Sequence, residues 1–146
     1  MQEKVLILDF GSQYTQLIAR RIRESEVYCE IVPFNHIPEL TPDIKSIILS
    51  GSPFSVNETD APDVDLEKLI NHAPLLGVCY GAQLLAKKFG GTVEKSDKRE
   101  YGRAHLDITD RLNPLYDNVS NHSQIWMSHG DTIRAVGEKF FVTAAS

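Results

Sequence analysis

Two glycines bracket a cysteine in Gly77-Val78-Cys79-Tyr80-Gly81, and this pentapeptide joins a short apolar run to an amphipathic stretch. A chain that passes from a buried strand into a helix within two residues must turn sharply, which strains the central residue and crowds its neighbours. Glycine on either side relieves the crowding. The pattern is the context of a nucleophile elbow, with cysteine in place of serine. Cys79 is expected to project from the C-terminal edge of a sheet at the start of a helix, where the partial positive charge of the helix terminus favours thiolate over thiol.

The segments around this element alternate in period. Residues 5–9 (Val-Leu-Ile-Leu-Asp) form an apolar run suited to a strand buried on both faces. Residues 13–23 then carry Tyr14, Leu17, Ile18 and Ile22 at helical spacing, with Ser12 placed to cap the start. Further strands are expected at 28–32, 46–49 and 75–78. A loop rich in Pro, Ser and Asp spans 50–63, followed by a helix with Leu66, Leu69 and Ile70 on one side. After Cys79 a helix carries Ala82, Leu85, Ala86 and Phe89 on one face and closes at Gly90-Gly91. Strands alternating with helices through short turns predict an α/β fold with a parallel sheet covered on both faces.

From Thr92 the character changes. Residues 92–95 and 104–108 read as two strands flanking a charged turn at 96–102, predicting an antiparallel hairpin or edge extension. Residues 125–127 and 140–144 are further strand candidates. No repeat, low-complexity tract or linker interrupts the chain, so residues 1–146 are expected to form one domain.

Composition narrows the function classes. With 15 Lys and Arg against 20 Asp and Glu the net charge is −5, and the densest basic group, Arg20, Arg21 and Arg23, falls on one helical stretch. Nucleic-acid binding needs a concentrated basic face, so no nucleic acid is expected as a partner. No apolar run is long enough to span a membrane, and the first residues form no secretory leader, so a cytoplasmic location is expected. The two cysteines, Cys29 and Cys79, make no metal-ligand pattern and are expected as free thiols, with no metal site. Cys29 alternates with Val27 and Ile31 and is expected to be a small buried hydrophobe.

Acyl chemistry at Cys79 would also need donors for a developing oxyanion. The amide of Tyr80 is one by elbow geometry. Ser50-Gly51-Ser52-Pro53, a tight loop after a neighbouring strand, is the natural source of a second.

Gly-Val-Cys-Tyr-Gly-Ala-Gln-Leu-Leu-Ala around Cys79, with the Ser50–Pro53 loop, resembles the class I, triad-type glutamine amidotransferases. Three further stretches, residues 9–17, residues 27–30, and Trp126-Met127-Ser128-His129-Gly130-Asp131, are similar to the N-terminal glutaminase domains of the GMP synthase family. The resemblance implies a flavodoxin-like three-layer fold with a mainly parallel central sheet and an antiparallel extension. It implies a glutaminase in which Cys79 attacks the side-chain amide of glutamine and leaves a glutamyl thioester that water hydrolyses. The ammonia released would go to a synthetase domain, fused or separate, that uses ATP and magnesium to aminate xanthosine monophosphate to GMP. The glutaminase itself would need no cofactor, and homodimerisation would concern the full-length enzyme. Position by position, the resemblance makes Cys79 the nucleophile, gives the amides of Ser52 and Tyr80 beside Gly51 to the oxyanion hole, and assigns Gln83, Ser128, His129, Gly130 and Asp131 to the walls around glutamine's amino-acid end.

Two departures stand out. The family's loop is commonly Ser-Gly-Gly-Pro, and here Ser52 replaces the second glycine. The family's histidine and glutamate lie in a Phe-His-Pro-Glu stretch that residues 1–146 do not contain. Of the five histidines, His36, His72, His105 and His122 sit in ordinary polar contexts, and His129 is not the family's base. The expectation is a C-terminally incomplete domain with feeble turnover. Alternatives are a glutaminase serving another class I amidotransferase, a thiol hydrolase built on the same elbow, and a non-catalytic flavodoxin-like module holding a mononucleotide phosphate at Gly11-Ser12-Gln13-Tyr14-Thr15.

Overall fold

The structure, a computed structural model, describes residues 1–96 and 101–146. It divides into two units, Met1–Leu85 and Ala86–Ser146.

The first unit is built on four parallel strands, β1 (Lys4–Asp9), β2 (Cys29–Pro33), β3 (Ile44–Leu49) and β4 (Leu75–Gly77), in the order β2-β1-β3-β4. Leu6, Ile7 and Leu8 in the middle of β1 all have 0% of their surface exposed. Neighbouring strand residues point to opposite faces, so β1 is covered on both sides, as its unbroken apolar run predicts. Helices α1 (Thr15–Glu24) and α2 (Leu66–His72) belong to this unit, and α3 (Tyr80–Lys88) leaves from the end of β4.

The face that α1 buries differs from the expected one. Thr15 and Ala19 are buried and Ile18 and Ile22 partly so, whereas Tyr14 and Leu17 are about half exposed. Residues 15, 18, 19 and 22 form a proper helical stripe. Ala19 in that stripe lets the helix lie close to Ile7, Cys29 and Ile48 of the sheet, while Thr15 is held by Asp9. The start of α1 is also different. Tyr14 occupies the cap position without a side-chain cap bond, and the Ser12 hydroxyl accepts from the Tyr14 amide at 3.0 Å, a turn contact two residues early. Asp9 organises that turn, its Oδ1 accepting from the Gly11 amide at 2.9 Å and from the Thr15 hydroxyl at 3.0 Å. In α2, Asp65 caps the helix through the Lys68 amide, Leu66 and Leu69 are buried, and Ile70 is exposed rather than packed.

The second unit holds an antiparallel sheet in the order β6-β5-β7, formed by β5 (Thr92–Ile108), β6 (Ser123–Ala135) and β7 (Ala144–Ala145). The two segments expected to form a hairpin with each other instead pair with the same partner. Val93 lies opposite Ile133 and Leu106 lies opposite Ser123, so both belong to one long strand. The register shifts between Lys95↔Asp131 and Tyr101↔Ser128, where the charged turn was expected, and residues 97–100 of that turn lie outside the described residues. The strand expected at 140–144 is reduced to β7, with Phe140 in a turn whose amide donates to the Gly137 carbonyl. Among the described residues no helix is long and apolar enough to cross a membrane.

Candidate active site

The elbow is assembled by close approach of backbone. β4 ends at Gly77, α3 begins at Tyr80, and Cys79 between them has φ +51°, the left-handed region that costs an L-residue about 1–2 kcal/mol. A methyl group at Gly77 would lie 2.6 Å from the Ala82 nitrogen, and one at Gly81 would lie 2.5 Å from Leu49 Cβ. Neither gap admits a side chain. The turn is fastened to β3 by the Val78 amide donating to the Leu49 carbonyl at 3.0 Å and the Gly81 amide donating to the Ser50 carbonyl at 3.1 Å.

Cys79 is exposed at this turn, and Cys29 is buried at 2% exposure with its thiol directed at the Ala19 carbonyl. The Ser50–Pro53 loop meets the cysteine. A methyl group on Gly51 would lie 3.7 Å from Cys79 Cβ and 3.3 Å from Ser12 Oγ, so the loops after β1 and β3 converge on the elbow. Ser50 itself is fully buried. Its hydroxyl accepts from the Phe10 amide and donates to the Gly51 carbonyl, each at 3.0 Å. The Ser52 hydroxyl accepts from the Phe54 amide at 3.2 Å, which shapes the outer side of the same loop.

Tyr80 has two separable parts. Its amide lies in the first turn of α3, where leading N–H groups have no acceptor within the helix. Its side chain is 1% exposed, packs on Phe10 with ring centroids 5.5 Å apart, and donates its hydroxyl to the Pro62 carbonyl. The phenol therefore staples the far end of the 50–63 loop to the elbow. Burial, with Asp63 and Glu58 adding to it, pushes the Tyr80 phenol up to about 12.

The titration of Cys79 departs from expectation. Desolvation at the turn raises the thiol pKa, and among the described residues no cationic side chain offsets it.

Gln83 sits one helical turn after the cysteine, its amide donating to the Cys79 carbonyl at 3.0 Å, and it is buried at 8% exposure rather than solvated. Ser128, His129, Gly130 and Asp131 are strand residues of β6 in the second unit rather than a loop, with Ser128 opposite Tyr101 and Asp131 opposite Lys95. Among the described residues no group of three or more His, Cys, Asp and Glu is arranged to hold a metal ion. Two contributors escaped the sequence reading. The Ser50 hydroxyl had a signal, a serine ending an apolar strand directly before a glycine turn. The Tyr80 phenol had only its place beside the nucleophile.

A parallel sheet with a cysteine elbow and a neighbouring glycine loop defines a class. The family model for glutamine amidotransferase class-I matches residues 6–146, and the chain belongs to that family. It is 58% identical, over 146 residues, to a protein of Phocaeicola vulgatus named GMP synthase [glutamine-hydrolyzing], covering 100% of this chain and 28% of that protein. A Cytophaga hutchinsonii protein of the same name is 56% identical over 146 residues, with 100% of this chain and 29% of that protein covered. Among solved structures, a glutamine amidotransferase from Thermotoga maritima superposes with a TM-score of 0.76 at 20% identity, covering 100% of this chain and 68% of that one. That likeness confirms the flavodoxin-like amidotransferase fold. The chain spans less than a third of the length of these two relatives.

Proposed function

We propose that residues 1–146 are the N-terminal portion of the glutaminase domain of a GMP synthase, releasing ammonia from glutamine for the amination of xanthosine monophosphate. The observation that carries this is the exposed Cys79 at φ +51° between two glycines that admit no side chain, with the Gly51 loop against it. The sulfur attacks the γ-carbonyl of glutamine, and the carbonyl oxygen, now an anion, is received by the amides of Ser52 and Tyr80. Collapse of that intermediate breaks the C–N bond. Ammonia leaves with a proton, and a glutamyl thioester remains for water to cleave to glutamate. The class I resemblance assigns Gln83, Ser128, His129, Gly130 and Asp131 to the amino-acid end of the substrate.

The raised thiol pKa supports a division of labour. A cysteine left protonated at neutral pH needs a base to take its proton and return it to the leaving ammonia. The class I resemblance assigns that part to a histidine and glutamate pair in a Phe-His-Pro-Glu stretch, which residues 1–146 do not contain. The domain works without a cofactor. The synthetase partner supplies ATP and magnesium chemistry, the complete enzyme is a cytoplasmic protein, and homodimer formation belongs to its full length.

The test uses the full-length protein. Cys79→Ala is expected to lower glutamine-supported GMP formation by about a hundredfold or more while ammonia-supported formation stays within about twofold. Equal loss with both nitrogen sources would contradict the assignment.

A further inference from the structure

Ser50 takes no chemical part in the reaction proposed above, yet its hydroxyl is fully buried between the two loops that meet at Cys79. We propose that Ser50 is a positioning residue that sets the direction of the Ser52 amide by holding the Gly51 carbonyl. The inference rests on the reading of Cys79 as nucleophile and of the Ser52 amide as an oxyanion donor.

The geometry runs through one peptide plane. In a planar trans peptide the C=O and the following N–H point in opposite directions. The Gly51 carbonyl accepts from Ser50 Oγ at 3.0 Å, so it turns toward the buried serine and the Ser52 N–H turns away from it. Among the described residues that N–H has no acceptor within the protein. The hydroxyl cannot swing aside. It is engaged as acceptor by the Phe10 amide at 3.0 Å, while the Ser50 amide donates to the Leu8 carbonyl at 3.1 Å and the Ser50 carbonyl accepts from the Gly81 amide at 3.1 Å. Ser50 thus ties the loop after β3 to the end of β1 through its side chain and amide, and to the elbow through its carbonyl. Glycine at position 51 would otherwise let the peptide rotate, since it carries no side chain to resist. A rotated peptide presents a carbonyl oxygen where a donor is needed, and loss of one such donor costs about a hundred- to a thousandfold in rate.

Two reactions of the same sulfur separate positioning from mere access. With 4-nitrophenyl butyrate, a C–S bond forms at the ester carbonyl through an oxyanion, the C–O bond breaks, 4-nitrophenolate leaves and the thiol proton goes to solvent. With iodoacetamide, a C–S bond forms as the C–I bond breaks and iodide leaves, with the proton again lost to solvent and no oxyanion formed. Rates at Cys79 are followed by peptide mass spectrometry for this chain and for Ser50→Ala and Ser50→Cys. The acylation-to-alkylation ratio is expected to fall about tenfold or more in both variants, because alanine donates nothing and a thiol donates weakly. An unchanged ratio in folded Ser50→Ala overturns the inference and leaves the nucleophile reading standing. If circular dichroism shows Ser50→Ala unfolded, Ser50→Cys, which fills similar space, decides by the same ratio. If the unsubstituted protein shows a ratio no higher than its own urea-unfolded chain, the nucleophile reading fails and takes this inference with it.

Discussion

Gly81 and Leu49 approach so closely that a methyl group on the glycine would lie 2.5 Å from Leu49 Cβ and 2.6 Å from the Leu49 carbonyl oxygen. The contact joins the first turn of α3 to the end of β3 and so fixes where the elbow stands on the sheet. Both obstacles belong to a fully buried residue of the central sheet. Gly81→Ala must therefore move either the helix or the strand. Overpacking of this kind costs about 1–3 kcal/mol, to be read as a lower urea midpoint with an unchanged slope. Full stability in Gly81→Ala would contradict the close approach.

Strain at Cys79 gives a second outcome. A left-handed backbone conformation is costly for any residue with a Cβ and nearly free for glycine. Cys79→Gly should fold with about 0.5–1 kcal/mol more stability than Cys79→Ala, despite the greater flexibility of glycine in the unfolded chain. Denaturant titration of the two variants measures the difference. Equal stabilities, or a more stable alanine variant, would mean that the elbow stores no strain.

The Tyr80 phenol predicts a pH dependence with a definite sign. Its pKa is pushed up to about 12 from an ordinary 10.0, so between those values the folded state holds a proton that the unfolded state has lost. Stability contributed by the neutral phenol is intact below pH 10 and declines as the pH rises toward 12, by about 2–3 kcal/mol in all. Tyr80→Phe removes the bond to the Pro62 carbonyl and should cost about 1–2 kcal/mol at neutral pH. The variant should then lose less stability than the parent between pH 10 and 12. Parallel curves for the two proteins would contradict the buried phenol.

The sequence was most informative where backbone geometry leaves one solution. An unbroken apolar β1 and glycines at 77 and 81 are demanded by close packing, and both were legible as residue types. Side-chain partners were not. Helical periodicity in α1 fits Tyr14 and Leu17 as well as Thr15 and Ala19, and the buried pair is selected by packing of Ala19 on the sheet and by the Asp9 bond to Thr15. The charged stretch after Lys95 reads as a turn by composition, whereas long-range pairing with β6 keeps both of its flanks on one strand. Pairing likewise places Ser128 to Asp131 within a strand. A helix terminus beside the thiol is visible in a sequence, whereas the local desolvation that raises its pKa is not.

The most direct measurement of the central claim is the kinetics of Cys79 labelling by the chloroketone analogue of L-glutamine, followed by peptide mass spectrometry at a pH high enough to populate the thiolate. Exposure alone would favour Cys79 over the buried Cys29, so the decisive features are saturation and protection. The rate is predicted to level off with reagent concentration, and L-glutamine is predicted to slow it while D-glutamine does not. A rate that rises linearly without limit, indifferent to either enantiomer, would show an accessible thiol with no glutamine site beside it.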